Sequence, residues 1–142
     1  MATEYTMFMK GNAVSPSNVK VTVSDRFLDK DGKPVEWEIK PITAAMNEAL
    51  REKNTTMAPV GKKGISMPRT DVKNYLADLA ITSTVFPNLN DQALQDSYGV
   101  MGARELLRTM LIAGEYEDYI EKVQLANGYD LSLADEAEKV KN

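Results

Sequence analysis

The sequence contains no cysteine and no histidine. Their absence excludes disulfides, thiolate nucleophiles, serine–histidine dyads, and the zinc, haem and iron–sulfur sites that depend on these ligands. A general base would have to be a carboxylate, a lysine or a tyrosine, and a metal would need oxygen ligands of the kind that Ca²⁺ and Mg²⁺ prefer. We therefore expect no enzyme, no metal site and no cofactor.

Long apolar runs are also missing. No segment approaches the roughly 18 consecutive apolar residues that a membrane-spanning helix needs. The amino terminus has no basic region ahead of an apolar run, so it does not have the pattern of a secretory signal. We expect a cytoplasmic protein without a membrane partner, folded as one domain over its 142 residues.

The charge is unevenly distributed. Residues 1–69 hold 11 basic and 8 acidic side chains, a net charge of +3, whereas residues 70–142 hold 6 and 13, a net charge of −7. An acidic second half argues against a nucleic-acid partner, because phosphates attract a basic surface. It suits either a basic protein partner or simple solubility of the free chain.

Two runs of alternating apolar residues predict the strands of one β-hairpin. The alternating positions are Val19, Val21 and Val23 in the first run, and Val35, Trp37 and Ile39 in the second. Residues 29–34 lie between the runs and have the composition of a tight turn. A helix should follow, with Thr43 as its N-cap.

Residues 53–68 follow neither the helical nor the strand period. Pro59, Gly61, Gly64 and Pro68 interrupt both kinds of element, so we predict a mobile loop here. Residues 1–18 and 131–142 are candidates for flexible ends.

The rest of the chain predicts short amphipathic helices separated by glycines. Thr70 and Asn90 are predicted N-caps, Gly114 is predicted to end one helix, and Gly128 is predicted to end the last. The fold class is therefore α+β: an N-terminal β-hairpin followed by a C-terminal cluster of short α-helices.

One cluster of acidic residues has the composition of a possible metal-binding or hydrolytic site. Glu115, Glu117, Asp118 and Glu121 follow one another closely, and paired carboxylates can serve hydrolysis or bind divalent metals. Because the helix that carries them has an apolar opposite side, a solvated helix face explains the cluster better than a metal site.

The segment at residues 94–107 has a more specific pattern. It reads LQDSYGVMG at 94–102 and ELL at 105–107, and DGKP at 31–34, WEI at 37–39 and PNL at 87–89 accompany it in the same order. Together these residues resemble the XkdN-like tail assembly chaperones of phages and defective prophages. The resemblance extends over about residues 19–129, most of the chain.

The resemblance implies a non-enzymatic cytoplasmic helper that holds the tape measure protein soluble during tail morphogenesis. It also implies the tail tube protein, and a longer form of the chain made by ribosomal frameshifting, as further partners. It supplies no catalytic residue. Two alternatives remain: a structural subunit retained in the assembled tail, and a carboxylate-dependent metal enzyme.

Five residues are candidates for partner binding because they lie on the apolar faces of the predicted helices. They are Tyr98, Val100, Met101, Leu107 and Met110. Flexible methionine side chains suit a surface that adapts to a helical partner. For any single position the hydrophobic core is favoured over a partner surface, because a domain of this size must build its core from the same residues.

Overall fold

A computed structural model describes residues 4–61 and 63–131. The elements are a 3-10 turn at Thr6–Phe8 and, in chain order, β1 (Val19–Thr22), β2 (Glu36–Ile39), α1 (Ala44–Lys53), β3 (Thr55–Val60), β4 (Ile65–Thr70), α2 (Val72–Ser83), β5 (Thr84–Phe86), α3 (Gln92–Ser97), α4 (Ala103–Met110) and α5 (Ala113–Ala126). The predicted α+β class is confirmed. No helix within the described ranges is long and apolar enough to cross a membrane.

The predicted N-terminal hairpin is confirmed. Strands β1 and β2 are antiparallel and place Val21 opposite Trp37. In the turn between them the Asp29 carboxylate accepts hydrogen bonds from the amides of Asp31 and Lys33, at 2.8 and 3.0 Å. Strand β5 adds a third strand on the other side of β2, which the sequence did not predict because three residues show no period.

Helices α2 and α5 pack against this sheet, and the core lies between the two layers. Trp37 from β2 meets Tyr119 from α5 edge to face, with ring centroids 4.9 Å apart. The hydroxyl groups of Tyr119 and Thr84 share a hydrogen bond, and burial raises the pKa of Tyr119 to about 12. The buried core is completed mainly by Ile39, Leu79, Leu106, Leu107, Met110 and Val123.

Two predicted N-caps are wrong by one residue. Thr43 caps α1 as predicted, but Asp71 rather than Thr70 caps α2, and Asp91 rather than Asn90 caps α3. In both corrected cases the aspartate carboxylate accepts a hydrogen bond from the amide three residues later. An adjacent carboxylate therefore takes the capping role, because its charge also suits the positive end of the helix dipole.

Gly114 does not end a helix, so that prediction is wrong. Helix α4 ends at Met110, and Gly114 lies in the first turn of α5. The corner is fixed instead by Glu115, whose carboxylate accepts a hydrogen bond from the Ile112 amide at 3.0 Å. Gly128 does follow the end of α5 with a φ of +90°, as predicted for a residue after a helix C-cap.

Strands β3 and β4 form an antiparallel β-hairpin, which we call the arm. The prediction that prolines and glycines exclude a strand here is wrong, because β3 and β4 pair along their full length, from Thr55 opposite Thr70 to Val60 opposite Ile65. Both strands are edge strands, where proline is tolerated. Gly61 and Gly64 adopt φ values of +76° and +70° in the connecting turn. The mobility of this segment stays a prediction.

The described N-terminal residues 4–18 are all exposed. Tyr5 precedes the 3-10 turn, and Met7 and Phe8 lie within it. The candidate flexible end at 131–142 lies outside the described residues beyond Leu131.

Candidate partner-binding surface

The structure does not bring the five predicted binding residues together on an open surface. Leu107 and Met110 are core residues, with 0% and 5% of their surface exposed. Tyr98 and Val100 are half-buried against the core, whereas Met101 is 90% exposed. Leu107 and Met110 could contact a partner only if the core opened, and the binding role of all five stays a prediction.

The arm exposes more apolar side chain than any of these positions except Met101. Met57, Val60, Ile65 and Met67 are between 47% and 63% exposed. Cross-strand partners lie on the same face of a hairpin, and so do residues two apart along a strand. The pairing therefore defines one face, which we call the Ile65 face; it consists of Thr56, Ala58, Val60, Ile65, Met67 and Arg69.

A groove of about 550 Å³ lies beside the arm, among α2, α4 and α5. We call it the helical groove. Leu76, Tyr116 and Ile120 supply its apolar side chains, and charged residues including Lys73, Arg108 and Glu117 also line it. The Arg108 guanidinium is held there by hydrogen bonds to the Lys73 carbonyl and the Asn74 side-chain oxygen, at 3.4 and 3.0 Å.

A second cavity joins the arm to the helical groove. It measures about 460 Å³ and is lined by Thr56 and Arg69 of the Ile65 face. Asp71 and Lys73 line both cavities. The second cavity therefore lies between the base of the arm and the helical groove, and we call the Ile65 face and the two cavities together the concave surface.

A buried carboxylate, that of Asp78, holds the root of the arm against the helices. Arg104 donates two hydrogen bonds of 2.7 Å to the Asp78 carboxylate, and Asn54 donates a third at 2.9 Å. Hydrogen bonding from Arg104, reinforced by Asn54, lowers the pKa of Asp78 to about 2. Asn54 immediately precedes β3, and its carbonyl accepts a hydrogen bond from the Asp71 amide, which immediately follows β4. Both ends of the arm are thus fixed to α2.

Two of the four acidic residues in the α5 cluster, Glu115 and Asp118, form ion pairs. Glu115 binds Arg26, whose hydrogen bond lowers the pKa of Glu115 to about 2. Asp118 pairs with Lys122 one turn later, at 2.9 Å. Among the described residues no group of three or more potential metal-ligating side chains is close enough to hold an ion.

The sequence does not predict the concave surface, because its prolines and glycines predict a loop at the position of the arm. A usable signal was present: Ile65, Met67 and Arg69 alternate with Ser66, Pro68 and Thr70, and two glycines precede the run. The prolines predict a loop more strongly than this alternation predicts a strand.

The chain is similar over almost its whole length to proteins of one family. The family of phage XkdN-like tail assembly chaperone proteins matches residues 6–141. The phage-like element PBSX protein XkdN of Bacillus subtilis strain 168 is 31% identical over 140 residues, which cover 98% of this chain and 94% of that protein. The uncharacterized protein YqbN of the same strain is also 31% identical over 140 residues, covering 93% of its length.

A solved structure matches the fold. The crystal structure of the protein YqbN superposes with a TM-score of 0.76 at 28% sequence identity, covering 88% of this chain and 96% of that one. The arrangement of strands followed by helices is therefore shared with an experimentally determined relative.

Proposed function

The chain belongs to the XkdN-like family of phage tail assembly chaperones, and on that premise we propose that it binds the tape measure protein and keeps it soluble during tail morphogenesis. We place this activity in the cytoplasm of the bacterial host and assign it no enzymatic step. The tail tube protein and a longer frameshifted form of the chain are further proposed partners.

The observation that carries the proposal is the exposed apolar surface of the arm. A contiguous apolar patch on a protein in water favours self-association unless it serves to bind a partner. The arm presents Val60, Ile65 and Met67 on its Ile65 face, each between 47% and 59% exposed, next to a groove with apolar side chains. A chaperone needs such a surface, because the client's own apolar helix faces must be covered until the tube assembles around it.

We propose that the arm binds the apolar helix faces of the tape measure protein reversibly and so covers them. Methionine side chains are flexible and polarizable, so Met67 on the Ile65 face can pack against helix faces of different sequence. The core of the domain lies elsewhere, between the sheet and α2, α4 and α5. Client binding therefore need not disturb the fold.

The test is co-expression with the tape measure protein encoded in the same genome, followed by affinity capture through a tag on this chain. We expect the tape measure protein to co-purify, and purified tails to lack this chain. Stoichiometric presence in purified tails would favour the structural-subunit alternative. Failure to capture the tape measure protein, with this chain folded, would overturn the proposal.

A further inference from the structure

We propose that the concave surface binds an amphipathic helix whose polar flanks are acidic; this rests on the proposed function, for which the helix would be a segment of the tape measure protein. The inference concerns the chemical class of the bound segment and the place where it binds. It follows from the shape and the charge of the concave surface.

The shape suits a helix. The helical groove runs among α2, α4 and α5, and Leu76, Tyr116 and Ile120 give it apolar side chains that can receive an apolar helix stripe. Asp71 and Lys73 also line the second cavity, which reaches the Ile65 face at Thr56 and Arg69. A helix longer than the groove would continue across this cavity toward the Ile65 face.

The charge of the concave surface is opposite to that of the chain. Residues 54–70 contain three basic side chains and no acidic one, so the remaining residues carry −4 minus +3, or −7. Arg69, Lys73 and Arg108 line the concave surface, against the acidic Asp71 and Glu117. The Asp71 carboxylate already accepts hydrogen bonds from the amide and the side-chain nitrogen of Asn74, at 3.2 and 2.8 Å.

An acidic helix is therefore attracted by the basic side chains of the concave surface, whereas a basic helix would be repelled by them. This differs from the sequence-based alternative of a basic partner for the acidic half of the chain. The two halves do not stay separate in the fold, because the basic arm joins directly to the first turn of α2.

The experiment uses the full chain and three labelled synthetic peptides of about 20 residues, long enough for a stable bound helix. All three carry the same apolar residues: one has glutamate flanks at helical spacing, one has lysine flanks, and one has the glutamate composition in scrambled order. Fluorescence anisotropy gives each dissociation constant. We expect the ordered glutamate peptide to bind at least about tenfold more tightly than either of the others, since one favourable charge pair at a desolvated site is worth that much.

Two matched variants locate the site. Arg69→Glu with Lys73→Glu should weaken binding of the glutamate peptide about tenfold and improve binding of the lysine peptide. Lys30→Glu with Lys33→Glu makes the same charge change in the exposed turn between β1 and β2 and should leave both constants unchanged. Far-UV circular dichroism and thermal unfolding confirm that each variant is folded.

Several results would overturn the inference. They are equal affinity for the glutamate and lysine peptides, equal effects of the two double variants, and self-association that Arg69→Glu with Lys73→Glu abolishes, which would assign the surface to a second copy of the chain. If the tape measure protein co-purifies normally with Arg69→Glu, Lys73→Glu, the inference fails while the proposed function stands. If the glutamate peptide binds as expected but the tape measure protein is not captured, the proposed function fails while the inference stands.

Discussion

Asp78 of α2 and Arg104 of α4 form a two-point ion pair, with Arg104 Nε and Nη2 each 2.7 Å from a different Asp78 carboxylate oxygen. Asn54 hydrogen-bonds to both members and directly precedes the arm. The pair therefore ties α1, α2 and α4 together at the point from which the arm extends. It fixes the position of the arm relative to the helical groove.

Removing this carboxylate should destabilise the fold. We expect Asp78→Ala to lower the free energy of unfolding by about 2 to 3 kcal/mol, because Arg104 and Asn54 lose a charged partner that is largely buried. Urea unfolding measures the change. Asp118→Ala, which removes an exposed ion pair with Lys122, is the control and should cost less than about 0.5 kcal/mol. Equal losses in the two variants would contradict the role given to Asp78.

Stability should fall in acid. The pKa values of Asp78 and Glu115 are about 2 in the folded chain, against 3.8 and 4.5 for the free groups. A carboxyl whose pKa is lowered by folding stabilises the fold fully above its unfolded pKa and loses that contribution as the pH falls toward its folded pKa. The free energy of unfolding should therefore drop between about pH 5 and pH 2.

Urea unfolding at a series of pH values follows this loss. The Asp78→Asn, Glu115→Gln double variant should show a smaller drop over the same interval, because neither substituted group titrates. Asp118→Asn with Glu121→Gln is the matched control, and it should keep the wild-type pH dependence. A wild-type curve that stays flat down to pH 2 would rule out both ion pairs as sources of stability.

The same substitution should have opposite effects at two glycines. Gly102 precedes α4 with φ +97° and ψ 155°, a conformation essentially restricted to glycine, so Gly102→Ala should cost about 1 to 3 kcal/mol. Gly114 lies within α5 with open space at the position of a Cβ, so Gly114→Ala should be neutral or stabilise by up to about 1 kcal/mol. Thermal unfolding compares them. A destabilising Gly114→Ala would show that the first turn of α5 is not formed as described.

Shortening the arm should leave the domain folded. Residues 57–68 can be replaced by Asn-Gly, a favoured two-residue hairpin turn, which joins the paired residues Thr56 and Arg69. None of the described residues in 57–68 belongs to the buried core. We expect cooperative thermal unfolding and an unchanged near-UV signal from Trp37. Loss of cooperative unfolding would mean that the arm is part of the structural core.

The sequence predicted the elements whose periodicity is local. Val19 to Ile39 show the strand period on both sides of a recognisable turn, and the amphipathic helices follow their 3.6-residue repeat. The sequence did not predict the strands of the arm, because Pro59 and Pro68 are unfavourable in a strand except at the edge of a sheet. Whether a strand lies at an edge is decided by the fold. The concave surface is built from two segments of the chain, so neither segment alone predicts it.

The sequence did not predict the ion pairs, for a different reason. Asp78 and Arg104 are 26 residues apart in the chain, and Arg26 and Glu115 are 89 apart. No local pattern links such residues. Leu107 and Met110 illustrate the converse, since an apolar helix face predicts burial equally well against a core or a partner, and the structure assigns both to the core.

The most direct test of the chaperone assignment is the fraction of tape measure protein that stays in the supernatant when it is co-expressed with this chain. We predict that the wild-type chain keeps most of it soluble, and that the variant with residues 57–68 replaced by Asn-Gly, although folded, does not. A tape measure protein that precipitates in the presence of the folded wild-type chain would contradict the proposed function.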